Sequence, residues 1–580
     1  MEQKQSKYQK IAEEAIVEVF QKDYFGLLAL PLPEVKFLTK DEENYSSGEY
    51  YISVGNNWQI HLNFGELPKS VKEFKNEVKV LTRHEIEHYQ TCPYDVMGQF
   101  RMIKRILETN RIHKNQLPER NISKLAGSIA NQIADVIIDT KNFLKYPKET
   151  LISEINWIKK GSGDSFQSAD RNGKLMFLLK EAIWKKDLEL RETDNSLLEK
   201  VQKLAIQFEE NGVTDSKSFL AKTETYTSLL LDLIELDKND SEQQQNGNGA
   251  SQSQGNNDSG ESQNNEGNSQ QQPQNIGNTI PGKDDANNCG QLVFQDPDKV
   301  ESAINQLAQE TSIDEFELIL DIAGIELKDE KEKKKIWFSQ QNVDAIPIIS
   351  KKSKGSKNDM SYPSTWKLGD PIEDLDILLS LQISPKILPG ITTKKWEKQY
   401  APIPLDEKNN SDLLLVIDTS GSMGNENISG SRLHEALLAC FGFIKFFEQE
   451  KGKIALINFS TNPIVCDWTK DYDKIKDTLL INQGSSTNFP IHSIERLTEH
   501  KKEGSVVVII TDGDIQNWQT TLTLLTELCN LENEVFLFLM DNRNAIKKYS
   551  ELRNVGGFVE YASTVNDIRN IVFNQIKLNN

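Results

Sequence analysis

The chain has 580 residues, room for three to four domains, and its 37% hydrophobic and 27% charged content is that of a soluble protein able to bury several cores. Lys and Arg number 67 against 87 Asp and Glu, a net charge of −20 that sets the surface against phosphate backbones, so no nucleic acid and no membrane is expected as partner. Five scattered cysteines (Cys92, Cys289, Cys440, Cys466, Cys529) form no C-x-x-C pair, charges interrupt every apolar stretch of the first twenty residues, and the longest apolar runs are far too short to span a bilayer, which predicts a cytoplasmic protein.

In chain order, residues 5–21 have helical spacing and Glu34 to Leu38 reads as a short strand. Two β-rich runs between Tyr50 and Phe64, broken at Gly55-Asn56-Asn57, predict a hairpin. Long helical patterns follow. Ser196-Leu-Leu-Glu199 looks like a capping box opening a helix with Leu197, Val201, Leu204, Ala205 and Phe208 on one stripe. From about Asn239 the chain turns to Gln, Asn, Ser, Gly and acidic residues, too polar to offset its ordering entropy, and a disordered linker is expected over 239–292. Residues 296–327 are again helical, whereas 328–404 carries Trp337, Trp366, Trp396 and several prolines without a readable period. The basic clusters at 333–335 and 351–357 read as solvated surface. Beyond Asp412, apolar runs at 413–417, 454–459, 506–510 and 535–540 alternate with helical stretches, the pattern of a doubly wound parallel sheet. The expected division is 1–159, a helical extension over 160–238, the linker 239–292, a mostly helical connecting region 293–409, and 410–580.

Two constellations carry chemistry. The first is His84-Glu85-Ile-Glu87-His88, at the end of a helix whose stripe is Val71, Phe74, Val78 and Leu81. One turn separates the histidines, so both imidazoles leave one face and can share a Zn²⁺, with Glu85 beside them to take a proton from a metal-bound water. Two imidazoles hold zinc poorly, and a third ligand is needed. Asn131-Gln-Ile-Ala-Asp135-Val-Ile-Ile-Asp139 offers it: Asp135 is favoured as ligand, with Asp139 and Asn131 orienting an imidazole, although the same spacing allows the two aspartates to be exchanged. Tyr89, Tyr94 and His113 lie near the motif with no pattern that selects them.

The second constellation begins at the end of the run 413–417. Asp418, Ser420 and Ser422 place three hard oxygens on one side of a tight turn, Thr487 adds a hydroxyl, and Asp512 adds a second carboxylate after 506–510. Hard donors at the carboxyl ends of parallel strands suit Mg²⁺. A Ser-rich turn with two loop-holding aspartates is the plainer alternative.

The segment 410–580 resembles a von Willebrand factor A domain with its metal-ion-dependent adhesion site, the pattern D-x-S-x-S, T, D mapping onto Asp418, Ser420, Ser422, Thr487 and Asp512. In that family the metal is completed by a partner's carboxylate, which implies a protein partner offering an acidic residue. The N-terminal segment is similar to zincin-like metallopeptidases of the gluzincin type, whose third, acidic ligand stands on a later helix and whose edge strand aligns the substrate, a role implied for Trp58 to Phe64. The resemblance implies a zincin-like fold for 1–159, catalysis by Glu85 and a protein or peptide substrate. Together the two ends resemble bacterial proteins that join such a metallopeptidase-like domain to a von Willebrand A domain and work with MoxR-type AAA+ ATPases, including ternary conflict systems. A regulated zinc peptidase of a bacterial defence or stress system is expected. The alternatives are a non-catalytic adaptor docking through the adhesion site, and a cobaltochelatase-like subunit, which has no use for the His84, Glu85, His88 helix. The chain has no G-x-x-x-x-G-K-[ST] and no G-x-S-x-G, so it is itself neither a P-loop ATPase nor a serine hydrolase of that kind.

Overall fold

The computed structural model describes residues 2–24, 34–38, 50–53, 59–63, 70–161, 166, 169–247, 297–325, 327, 329–341, 344–347, 361–367, 370–384, 386–398, 412–499, 505–531 and 533–579. The chain forms two compact units, Met1–Gln340 and Gln341–Asn580. It is mixed α and β, with a helical N-terminal unit and a mainly parallel sheet in the C-terminal one.

The N-terminal unit opens with α1 (Glu2–Lys22) and the strands β1 (Glu34–Leu38), β2 (Tyr50–Ser53) and β3 (Gln59–Asn63). β2 and β3 pair antiparallel, Ser53 opposite Gln59, as the expected hairpin requires; its tip, 54–58, lies outside the described residues. β1 pairs with the other side of β3, in parallel. β3 is therefore the middle strand, and the edge-strand role expected for Trp58 to Phe64 is corrected: its backbone is bonded on both sides over Gln59–Asn63.

Ten helices described in this unit follow α1 and the sheet: α2 (Val71–Gln90), α3 (Val96–Ile112), α4 (Glu119–Lys145), α5 (Pro147–Gly161), α6 (Arg171–Trp184), α7 (Asn195–Glu210), α8 (Phe219–Gly247), α9 (Pro297–Glu310), α10 (Ile313–Ile322) and α11 (Glu330–Gln340). α4 is the hub. Ile122, Ile129, Ile133, Val136, Ile137 and Ile138 are all buried, because α2, α3, α5, α6, α8 and α10 pack around the helix. α2 is locked to its surroundings by charge. Glu87 accepts from Tyr24 Oη at 2.9 Å, Thr91 Oγ1 at 2.5 Å and Lys141 Nζ at 2.7 Å, tying the residues just after α1, and α4, to its last turn.

Several boundaries differ from expectation. The stripe of α2 loses its ends, since Val71 is exposed and Leu81 only half-buried, while the last turns bury most of their girth. α7 is capped by Asp194, whose carboxylate accepts from the Ser196 and Leu197 amides, so Ser196 is already inside the helix; its expected stripe is buried. α8 runs to Gly247, nine residues into the expected linker, because Glu and Gln are good helix formers on a helix already nucleated by packing. The rest of that linker, 248–292, lies outside the described residues, as does the basic cluster 351–357. The connecting region 293–409 is not one body. α9 and α10 pack on α3, where Lys104 Nζ donates to Glu310 O at 2.8 Å and Arg111 meets Glu315 at 2.7 Å, so 297–340 belongs to the N-terminal unit. The extension 160–238 likewise belongs to it, because α6 and α8 pack against α4.

The C-terminal unit begins with a small antiparallel sheet in the stretch without readable period: β4 (Ser361–Thr365), β5 (Leu375–Asp376), then α12 (Ile377–Ile383) and β6 (Lys394–Lys398) at the centre. A six-stranded sheet follows, from β7 (Leu413–Asp418), α13 (Arg432–Gln449), β8 (Ile454–Phe459), β9 (Ile464–Thr469), α14 (Tyr472–Leu479), α15 (Ile491–Thr498), β10 (Val506–Thr511), α16 (Trp518–Asn530), β11 (Glu534–Met540), α17 (Ala545–Tyr549), α18 (Glu551–Asn554), β12 (Phe558–Ala562) and α19 (Val565–Asn579). The order is β12-β11-β10-β7-β8-β9, parallel throughout except for the antiparallel edge strand β9. β7, β8 and β10 are buried along their whole length, as strands covered on both faces must be. β9 and β12 had no continuous apolar run to announce them, because edge strands stay half in water. From β7 the chain winds to β8 and β9 on one side, then returns to β10 on the other. β7 and β10 thus flank a topological switch point, and the loops after both open there. Among the described residues, no helix is long and apolar enough to cross a membrane.

Glu87→Ala should lower the stability of the N-terminal unit by about 2–3 kcal/mol, since it strands the buried Tyr24 and Thr91 hydroxyls. Chemical denaturation of the full chain reads this as an earlier transition of that unit alone; an unmoved midpoint would show that the Glu87 cluster contributes no net stability.

Candidate metal centres

α2 and α4 cross so that His84 and His88 face Asp135. His84 Nε2 stands 3.3 Å, and His88 Nε2 3.5 Å, from the same Asp135 Oδ1. One nitrogen from each ring and one carboxylate oxygen lie within 4.8 Å of one another. Ligands about 2.0–2.1 Å from a tetrahedral ion are separated by about 3.3–3.4 Å, so two edges of this triangle have the length such an ion would set. The rings are held edge to face, centroids 5.0 Å apart.

Their second nitrogens fix them. His84 Nδ1 lies 2.6 Å from Asp139 Oδ1, and His88 Nδ1 lies 3.1 Å from the Cys92 carbonyl, so both present Nε2 to Asp135. Asn131 Nδ2 approaches the other Asp135 oxygen at 3.5 Å. Behind Asp139 stands Lys180, from α6 and fully buried, which donates to Asp139 Oδ2 at 2.5 Å and to Glu154 Oε1 of α5 at 3.0 Å. Burial alone would strip Lys180 of its proton, but Asp139 and Glu154 hold it well above the usual ammonium range. Sequence reading missed Lys180 and Glu154. Their only signal was a charge within otherwise apolar helical runs, such as Leu175-Met-Phe-Leu-Leu-Lys180.

The exposed surface of His84 and His88 is 7% and 6%, and of Asp135 1%, so the triangle lies at the bottom of a closed fold. Glu85, one residue on from His84, is half-buried. Tyr94 is exposed on the loop after α2, and the Tyr89 side chain lies outside the described residues. His113 caps α3, its Nδ1 accepting from the Asn115 amide at 3.2 Å and its Nε2 lying 3.8 Å from Asp232, an ordinary structural histidine.

The second centre sits at the switch point. Asp418, fully buried at the end of β7, accepts from the Ser420 amide at 2.9 Å and from Thr511 Oγ1, on neighbouring β10, at 2.6 Å. Ser420 Oγ and Ser422 Oγ lie 3.2 Å apart. The turn is zipped to the loop carrying Thr487 by Gly421 N to Ser485 O at 2.9 Å and Gly484 N to Thr419 O at 3.0 Å. Gly421 permits this approach, since a Cβ there would stand 3.2 Å from the Gly484 carbonyl. Asp512 leaves β10 buried, its Oδ1 accepting from the Asp514 amide at 3.2 Å. Gly513 between them has φ +84 and packs against Ala545, Leu539 and Tyr549, so no side chain fits there. Burial raises the Asp418 carboxyl above its ordinary range and nearby Asp512 adds to this, against the Thr511 and Ser420 hydrogen bonds. Carboxylate and hydroxyl oxygens around an under-compensated buried charge fit a hard divalent ion.

His84 yields a pH test for the metal-free protein. Burial disfavours its charge, but Asp139 and Asp135 outweigh that and raise it from 6.5 to about 10. A histidine raised in the folded state adds stability that is complete below its unfolded value, and that is lost as pH climbs through the folded one. Chelator-treated protein should therefore lose stability between about pH 6.5 and 10, and His84→Asn should flatten the profile. A wild-type profile already flat over that window would contradict the triangle's electrostatics.

Residues 413–514 match the family model described as the von Willebrand factor type A domain. No curated protein sequence matches the chain. With the parallel sheet and the loops at its switch point, the match shows that the C-terminal unit carries a von Willebrand factor type A domain, a module of metal-dependent protein interaction.

Proposed function

We propose that this protein is a zinc-dependent peptidase that a Mg²⁺-binding von Willebrand A domain recruits to an acidic protein partner. The observation that carries it is the convergence of His84 Nε2, His88 Nε2 and Asp135 Oδ1 from two helices. Two imidazoles and one carboxylate are a borderline donor set that suits zinc better than magnesium, and three protein ligands leave a position for water or substrate. Bound there, zinc would supply Lewis acidity and a water of lowered pKa. The remaining work falls to the chain. Asp139 and the Cys92 carbonyl orient the rings, Glu85, the neighbour of His84 in the chain, would accept a proton, and burial keeps the local dielectric low. The resemblance of the two ends to MoxR-associated proteins supports an AAA+ ATPase as partner and a bacterial defence setting in the cytoplasm. The depth of the triangle supports opening by such a partner, and equally a second reading, an adaptor whose metal is purely structural.

Purified protein should hold about one zinc per chain, His88→Ala should lose it, and Glu85→Gln should keep it while losing peptide cleavage. Zinc-replete wild type that cleaves no protein with its ATPase and ATP would leave the adaptor reading. At the other centre, Asp418→Ala should abolish Mg²⁺-dependent partner binding; binding that survives the substitution rejects the docking role.

A further inference from the structure

We propose that Arg432 is a tethered cation that competes with the divalent ion for Asp512 and so weakens metal binding by the von Willebrand A domain. The inference rests on the magnesium reading above and adds its regulation. Arg432 is the first residue of α13, and its backbone is anchored by the cap residue Ser431, whose Oγ accepts from the His434 amide at 3.1 Å and donates to Asn425 O at 2.5 Å. From there the guanidinium reaches across the switch point. Nη1 donates to Asp512 Oδ2 at 3.2 Å and to Ser422 O at 3.2 Å, and Nη2 lies 3.9 Å from Asp541 Oδ2. It thus straddles the two loops that carry the candidate ligands Ser422 and Asp512.

Asp512 is committed on both oxygens, Oδ1 to a backbone amide and Oδ2 to the guanidinium. An ion that takes Asp512 as a ligand either displaces Nη1 from Oδ2 or sits beside a fixed positive charge, and both weaken binding. The Nη1 donors of Arg432 are taken by oxygens of its own chain, Asp512 Oδ2 and Ser422 O, and Nη2 stands near a third, Asp541 Oδ2. The Arg432 side chain is 35% exposed against 4% for Asp512, so solvent can take over the guanidinium when the carboxylate turns to the metal. An arginine cannot leave the balance by deprotonating. The site would hold its ion weakly until a partner's carboxylate adds the missing negative charge, coupling metal retention to docking.

Calorimetric titration of the full chain with Mg²⁺ at fixed ionic strength, without partner, tests this. Arg432→Gln should bind Mg²⁺ about tenfold more tightly than wild type, and Arg432→Lys, which keeps the charge without the fork, should fall between them. Asp512→Asn should lose binding, placing the measured heat at this centre. Equal or weaker binding by Arg432→Gln, with melting showing it folded, overturns the proposal while leaving the magnesium site standing. If Arg432→Gln does not fold, Arg432→Lys decides in its place, and affinity no tighter than wild type overturns it. Heat that persists in Asp512→Asn also overturns it. Absence of Mg²⁺ binding in wild type and Arg432→Gln alike overturns the magnesium reading and the proposal together.

Discussion

The N-terminal unit is organised around a helix that buries carboxylates. Asp135 and Asp139 sit one turn apart on α4, in a run of isoleucines, valines and alanines enclosed by other helices. Isolated carboxylates there would be expensive enough to forbid the packing. The fold meets that constraint with His84 and His88 from α2 and Lys180 from α6, and the positions of both helices follow from it. In formal charge, the three carboxyl groups of Asp135, Asp139 and Glu154 stand against the single ammonium of Lys180. A dication between the neutral imidazoles would close that balance, and without one the raised proton affinity of His84 closes part of it.

The two centres use opposite chemistries. In the first, the candidate ligands, mostly nitrogen, come from the last turns of α2 and from α4, so their geometry depends on helix crossing and is held by a chain of ion pairs through four helices. In the second, oxygen ligands come from loops at strand ends, and the sheet places them through topology. Asp418 and Asp512 meet because the chain reverses its winding direction between β7 and β10. One is rigid by packing, the other by backbone hydrogen bonds between loops, which fits a closed site and a docking surface respectively.

Much of both centres was legible beforehand because each rests on short-range periodicity. The four-residue spacing of His84 and His88, and of Asp135 and Asp139, puts each pair on one helical face wherever the helix lies. Strand-end positions of Asp418 and Asp512 follow from the apolar runs before them. Lys180, Glu154 and Arg432 were not legible, since each acts on a residue more than twenty positions away and no local pattern distinguishes it from a surface charge. The role expected for Trp58 to Phe64 failed for the same reason: whether a strand is central depends on a partner, β1, with which it shares no sequence signal.

Residue order alone determined which side chains share a turn, which runs must be buried on both faces, and which donor types the candidate centres offer, because these follow from the 3.6 and 2.0 periods of the backbone. Tertiary structure decided that α2 crosses α4 at the level of Asp135, that 160–238 and 297–340 complete the N-terminal unit, and that a guanidinium rests on Asp512. Those outcomes hang on how helices pack and loops meet, and on the need of every buried charge to find a counter-charge. That need is settled only when all elements are in place.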